Sequence, residues 1–464
     1  MKAYPEVNIQ NAYLVLNDQK IPFEPLNASK YSLQIRFYHN FRFKDGAVFS
    51  KMVIPLNGKS AELGPCKLLS GMNHDGSGRL VFVDELYDLE ALLNQKKIIK
   101  LQSNFLNLPL IMGHKIKIRQ DFKEYTADLT YDLNVYKNIF DQIDSECSGE
   151  TEDVKNLVQN GLINKEGKKF LKFLDDKLMD LEFNVKNFSK EEHECHGFYF
   201  RKQLWNFITI APFMSRTNNK PRGYSGDSEM MRMVYANNYE GNSTFSKLLH
   251  KHPVEHPAAQ AVRNRRTYIS KMLRNFINDN TNASQQRVKV LSVACGPAYE
   301  ITDTIITAED TKWYHFTLLD QDQFALTEAK HLINIIEKKL DIHIMAEYLN
   351  ESVRTMLNTP QLKSKWGQFH FIYSMGLFDY LTPPVAKAVL GKLYQLLEPG
   401  GELIIGNFHK ANPSQTYMEY WLDWVLYYRT EAEFKDLLDS ADMKKNVSFD
   451  DTGVQMFLRI KKHK

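Results

Sequence analysis

At 464 residues, with 43% apolar, 25% charged and 12% aromatic side chains, the chain has an ordinary globular composition and the length for two or three domains. Its 59 basic and 56 acidic side chains leave a net charge of +3, which gives no electrostatic reason to expect nucleic acid as a partner. Cys66, Cys147, Cys195 and Cys295 form no CxxC pair, and no apolar run reaches the roughly 18 residues of a membrane helix. The start, MKAYPEVNIQNAYLVLNDQK, lacks a basic region followed by a long apolar stretch, so neither a signal peptide nor a membrane span is expected, and the expected location is the cytoplasm.

Residues 1–130 alternate short apolar runs such as AYLVL, YSLQIRFY, AVFSKMVIPL, GRLVFVDEL and LPLIMGHKIKIRQ with Asn-Gly and Asp-Gly turns, which predicts a small β domain, a barrel or sandwich. From Tyr131 the period becomes helical, with Leu133, Tyr136, Phe140 and Ile143, then Phe170, Phe173, Leu174, Leu178 and Leu181, separated by the loop SECSGETED. FYFRKQLWNFITIAPFM is apolar nearly all round and predicts a buried helix, so 131–218 reads as a helical connector. After it, Lys220 to Asp227 carries too many loop formers for a helix interior, Met230, Met231 and Met233 read as packing, and AAQAVRNRRTYISKMLRNFIND is a helix bearing Arg263, Arg265 and Arg266.

From Val288 strands and helices alternate, with strands expected at 288–294, 313–319, 342–348, 368–374, 402–408 and 454–461. The expected fold is α/β: a doubly wound, mostly parallel, seven-stranded sheet preceded by the helical segment and the small β-barrel domain. A ligand then belongs at the carboxyl ends of the first strands. There VKVLSVACGPAYE ends in a turn at Gly296, and Asp320 closes the second strand, placed to take both hydroxyls of a ribose. Gly296 is followed by Pro297 and Ala298 rather than by GxGxxG, which argues against a dinucleotide. Asn350 and Ser352 follow strand three, where an adenine edge would lie, and strand four runs into Ser374, Gly376, Asp379 and Tyr380.

Taken with LLEPGG before strand five, this arrangement resembles class I S-adenosylmethionine-dependent methyltransferases over residues 288–464. The resemblance implies S-adenosylmethionine as cofactor, with Gly296 and Ala298 at its methionine half, Asp320 at the ribose and Asn350 to Val353 at the adenine. Ala294, Gln321, Glu351, Ser352, Ser374, Met375 and Gly376 complete the implied set. Ser292 and Ala294 stand where that family has an acid and its first glycine, so other residues must help hold the methionine half. KPRGYSGDSEMMRMVY, AVRNRR, SMGLFDYL and the FLRI ending further resemble a bacterial group that makes 3-hydroxypalmitic acid methyl ester, an extracellular factor. That likeness implies a methyltransferase domain over 219–464 with a lid at 219–285. Tyr224, Gly226 and Asp227 would cover the cofactor, and Arg263 or Arg265 would meet a carboxylate of cofactor or substrate.

The acceptor so implied is an oxygen on a small molecule, with a fatty or other hydrophobic carboxylic acid as first choice. An ionised carboxylate needs no base; a phenol or hydroxyl would need His409 or Asp379. Tyr380 and Trp424 either line the acceptor pocket or fill the core. Rival readings are a phenol or amine methyltransferase and a non-catalytic cofactor- or cyclic-dinucleotide-binding module. No metal is expected: His193, Cys195 and His196 lack a second ligand pair, and His250, His252 and His256 read as surface residues beside prolines. The first domain, with ELGPCKLLS at its middle, resembles a PilZ-like domain but lacks that class's paired arginines, which argues against cyclic di-GMP and for a docking or scaffold role.

Overall fold

The computed structural model describes residues 12–38, 41–56, 59–70, 76–89, 92, 112–113, 115–280, 287–438 and 444–463. The expected turn at Asn57-Gly58, the Asp75 half of Asp75-Gly76, and residues 108–111 and 114 of LPLIMGHKIKIRQ lie outside the described residues. The chain divides into two compact units, Met1–Lys117 and Ile118–Lys464.

In the first unit the described strands are β1 (Tyr13–Leu16), β2 (Gln19–Ala28), β3 (Leu33–Phe37), β4 (Val48–Phe49), β5 (Lys51–Leu56), β6 (Lys59–Leu63), β7 (Cys66–Ser70) and β8 (Ser77–Phe82). They form one antiparallel sheet in the order β4-β7-β8-β3-β2-β1-β5-β6. Asn17 and Asp18, at φ 50 and 61, make the tight turn between β1 and β2, the conformation that matches the twist of a two-residue hairpin. Alternation does the rest: Leu33, Ile35 and Phe37 point inward with Leu14, Phe49 and Leu68, while Arg36 points out. The curled sheet fits a barrel-like unit.

The second unit opens with α1 (Gln120–Glu146), which begins before the expected change of period at Tyr131. Lys115 to Arg119 mimics strand alternation, yet Ile118, Phe122, Thr126, Leu129 and Leu133 are buried at helical spacing, and that longer period prevails. α2 (Glu152–Leu162) passes through a π turn into α3 (Lys168–Val185), and a Ser189/Glu192 capping box starts α4 (Lys190–Gln203). FYFRKQLWNFITIAPFM is not one helix. α4 ends, a short α5 (Trp205–Ile208) follows, and α6 (Pro212–Asn219) starts at Pro212, which cannot continue a helix but suits its first turn.

Then come α7 (Ser228–Ala236), α8 (Thr244–Glu255) and α9 (Pro257–Asn280). The histidines of α8 and its end are not surface residues. His250 accepts the Phe213 N–H at 3.2 Å, His252 lies between the Tyr417 hydroxyl and Asp175, and His256 bonds Ser414 at 2.5 Å. Burial pushes the His250 and His256 imidazoles down to about 4, so both are neutral packing groups. His196 is likewise engaged at both nitrogens, by the Arg119 N–H and the Glu192 carbonyl.

The sheet of this unit runs β11-β10-β9-β12-β13-β15-β14, from β9 (Val288–Val293), β10 (Tyr314–Asp320), β11 (Ala346–Asn350), β12 (Phe369–Ser374), β13 (Leu397–Phe408), β14 (Lys444–Phe449) and β15 (Gln455–Lys461). It is mixed: β9 to β13 pair in parallel, and β15 runs antiparallel to both β13 and β14. β11 starts later than expected because Asp341, at φ 51, ends the preceding helix and the chain then runs without regular structure to Met345. Helices cover both faces. Val290, Phe316 and Leu318 pack under α9 and α10 (Gln323–Leu340), whereas Leu291, Ile372 and Leu403 pack under α11 (Pro383–Gln395). This double burial is why the strands read as nearly continuous apolar runs.

Close approach of β13 to the β12 loop sets one tight position. A Cβ on Gly406 would lie 2.8 Å from Gln455 Nε2 and 3.0 Å from the Met375 carbonyl oxygen. Gly406→Ala is expected to lower stability by about 1–3 kcal/mol through overpacking, measured by urea unfolding. An unchanged midpoint and slope would show that the strand yields at no cost.

Candidate active site

β9 delivers its end to a turn in which Ala294, Gly296 and Ala298 all adopt left-handed φ, at 53, 54 and 53. For the two alanines this costs roughly 1–2 kcal/mol each, so the turn must be held by its surroundings. Asp320, at the end of β10, supplies the hold. Its Oδ2 accepts the Gly296 N–H and its Oδ1 the Asp322 N–H, both at 2.9 Å. Burial pushes the Asp320 carboxyl up against these bonds, and the neighbouring Asp322 charge adds to the shift. A Cβ built on Gly296 would meet nothing within 4 Å, so the turn presents bare backbone to open space.

That space is a cavity of about 280 Å³ at the carboxyl ends of β9, β10 and β12. One end is formed by Ala294 to Glu300, Asp320, Gln321 and Glu351 to Val353. The other is largely apolar, with Met231, Val262, Leu377, Phe408, Trp424 and Leu426. Residues 222–227 span both ends. Arg222 pairs with Asp322 at 2.9 Å and Glu328 at 3.0 Å, and the Tyr224 hydroxyl donates to Asp322 at 3.2 Å. Beyond them the Tyr380 hydroxyl donates to the Ser225 carbonyl at 2.8 Å and accepts the Trp424 indole N–H at 2.8 Å. Gly226, at φ 81, lies so close that a Cβ would stand 2.6 Å from the Tyr380 oxygen; only glycine fits the strap there.

Besides Asp320, the charged side chains Arg265, Arg266, Glu300, Glu351 and Asp379 line the cavity. Arg265, from α9, donates to the Met375 carbonyl at 3.2 Å and forms no ion pair among the described residues. Glu300 is 8% exposed and accepts the Tyr373 hydroxyl at 2.6 Å; Asp379 is 3% exposed and accepts the Phe408 N–H at 2.7 Å. Burial pushes the Asp379 carboxyl up to about 6, opposed by that bond and by Arg265 and Arg429.

Of the residues expected at the site, Tyr224, Gly226, Arg265, Ala294, Gly296, Ala298, Asp320, Gln321, Glu351, Ser352, Val353, Met375, Gly376, Asp379, Tyr380 and Trp424 line the cavity together. Ser352 also caps the short helix that follows it, accepting the Thr355 N–H. Five do not line it. Asp227 turns inward as the N-cap of α7 and as partner of Arg216, at 2.7 Å. Ser374 donates to the Val293 carbonyl, and Asn350 is pinned to the carbonyls of Asp320 and Gln321. His409 stands past the end of β13 against Phe449, accepting the Ala411 N–H. Arg263 is also elsewhere, bonding the Val234 and Val254 carbonyls. Sequence reasoning missed Glu300, Tyr235, Tyr373 and Leu426; the only signal was that Glu300 closes the glycine-turn stretch.

No curated protein matches the chain. Among solved structures it is similar to a possible exported protein from Bordetella parapertussis, at 16% identity and TM-score 0.41, covering 55% of this chain and 87% of that one. It is also similar to magnesium protoporphyrin IX methyltransferase from Synechocystis PCC 6803, at 10% identity and TM-score 0.33, covering 44% and 86%. A third likeness is to the N-methyltransferase NodS from Bradyrhizobium japonicum WM9, at 13% identity and TM-score 0.28, covering 44% and 96%. At such scores these likenesses carry no weight for fold or chemistry. A family model described as "Putative methyltransferase" matches residues 220–456, just over half of the chain and all of the cavity's lining, and the chain belongs to that family.

Proposed function

We propose that the protein transfers a methyl group from S-adenosylmethionine to an oxygen of a small, largely apolar acceptor. The observation that carries this reading is one cavity with a polar floor of Gly296, Asp320 and Ser352 at one end and the apolar walls of Phe408, Trp424 and Leu426 at the other. The residues fit the cofactor: Gly296 offers bare backbone, Asp320 keeps acceptor capacity beyond its two N–H bonds, and Arg265 has no carboxylate partner among the described residues. When bound, S-adenosylmethionine supplies an electrophilic methyl group on a sulfonium centre. The protein's share is positioning and exclusion of water by the 222–227 strap and the Tyr380–Trp424 pair.

A hydrophobic carboxylic acid, yielding a methyl ester, is the first choice of acceptor. Its support is the apolar wall together with the resemblance of GYSGD, AVRNRR and SMGLFDYL to methyl-ester-forming enzymes. The placement of Asp379 favours a second reading, a phenol or hydroxyl acceptor. A carboxylate held near 6 and lining the cavity can take a proton at neutral pH. The PilZ-like unit is read as a docking element, and the cytoplasm as the compartment.

Calorimetry with S-adenosylmethionine tests the cofactor reading, and mass gain in small-molecule extracts supplied with labelled cofactor tests the acceptor. Asp320→Ala should weaken cofactor binding by roughly 1.5–3 kcal/mol for each charge-assisted bond lost; equal affinity would remove Asp320 from the site.

Asp379 separates the two acceptors. Asp379→Asn should leave the rate with a carboxylic acid within about threefold, and lower it about a hundredfold or more with a phenol. The same variant tests the buried acid through stability. A carboxyl raised on folding binds its proton more tightly in the native state, so stability falls as pH rises from the unfolded value near 3.8 to about 6 and is level above. Asp379→Asn should remove a fall on the order of 2–3 kcal/mol across that window, seen as the difference between variant and wild-type urea unfolding at each pH. Parallel curves would show that Asp379 titrates normally.

A further inference from the structure

Glu300 and Arg265 share the cavity and do not pair with each other. Opposite charges in a cavity of low dielectric attract strongly, so each must be held back by something else. The Tyr373 hydroxyl holds Glu300 Oε1 at 2.6 Å, and the Met375 carbonyl and the Met231 sulfur hold Arg265 at 3.2 and 3.4 Å. Tyr373 stands in register opposite Ser292, so its hydroxyl anchors Glu300 next to the position where an acid is missing from β9. What remains is an anion and a cation with a gap between them, complementary to a ligand that carries both charges in the opposite order. An α-amino acid is such a ligand.

We propose that Glu300 and Arg265 clamp the amino acid end of S-adenosylmethionine, Glu300 taking the ammonium group and Arg265 the carboxylate; this rests on the cofactor reading above. Tyr373 is the positioning residue, directing the second oxygen of Glu300 to the ligand. Burial pushes the Glu300 carboxyl up, as expected of an acid whose countercharge arrives with the ligand. Gly376 completes the clamp, since a Cβ there would press to 3.3 Å of an Arg265 nitrogen.

The test is calorimetry of the full chain with S-adenosylhomocysteine and with methylthioadenosine, which keeps the nucleoside and lacks the amino acid. Wild-type protein should prefer S-adenosylhomocysteine by about tenfold or more, and Glu300→Gln should remove at least that factor for S-adenosylhomocysteine while leaving methylthioadenosine within about twofold. Tyr373→Phe should shift the same ratio in the same direction by less. Equal weakening of both ligands by Glu300→Gln, or no weakening of either, overturns the clamp.

Two S-adenosylhomocysteine analogues, one without the amino group and one without the carboxylate, repeat the test on unmodified protein and decide the matter if Glu300→Gln fails to fold. Each should bind more weakly than S-adenosylhomocysteine, and equal affinity for either overturns the clamp. Wild-type protein that binds methylthioadenosine as tightly as S-adenosylhomocysteine loses the clamp and keeps the cofactor reading. Wild-type protein that binds neither loses both.

Discussion

One buried carboxylate fastens the ends of three adjacent strands. The Asp320 side chain holds Gly296 beyond β9 and Asp322 beyond β10, while its backbone carbonyl accepts the Asn350 side chain and the Glu351 N–H from the end of β11. Asp322, so placed, takes Arg222 and Tyr224, and the strap that they begin ends on Tyr380 and Trp424. The cavity's floor and roof are therefore one hydrogen-bonded sequence starting from Asp320. Such a network is sensitive because the groups lie in low dielectric, where each bond is strong and each missing bond is costly.

The roof also explains the long helical segment. Phe122, Phe170, Phe200 and Phe245 of α1, α3, α4 and α8 share a core with Tyr420, Trp421 and Trp424, which follow β13. Asp423, at φ 48, sits between Arg201 at 2.8 Å and Lys220 at 2.5 Å, and Asn218 donates to the Trp421 carbonyl at 2.8 Å. A strained residue with two cationic partners fixes the next side chain, and the next side chain is the Trp424 that lines the cavity. The helices thus hold one apolar wall of the cavity.

Local signals were legible in the sequence, and signals shared between distant segments were not. Strands buried on both faces show as apolar runs, and the Gly296 turn and Asp320 stand at fixed places relative to them. β14, KKNVSF, lies at the sheet edge with no apolar run to announce it. Glu300 gains meaning only from Tyr373, 73 residues away, and Trp424 only from Tyr380 and Gly226. His409 and Ser374 lie outside the cavity's lining for a related reason: nearness to a strand end does not fix direction, and Ser374 turns back to the Val293 carbonyl. Buried histidines beside prolines were misread because partners such as Tyr417 and Ser414 lie far along the chain.

The substitution of alanine for the expected first glycine bears on how the site binds. Glycine would reach left-handed φ freely and lose much conformational entropy when the turn is ordered, whereas Ala294 and Ala298 resist that conformation and have less freedom to lose. Their strain is offset in the folded protein by the Asp320 bond to Gly296 and by burial of Ala298 among Ile301, Leu318 and Leu326. The turn is ordered by folding rather than by the ligand, so binding need not supply that ordering free energy. With the turn fixed and no second glycine after Gly296, the proposed hold on the methionine half falls to side chains, and Glu300 and Arg265, which line the same cavity, are the pair proposed for it.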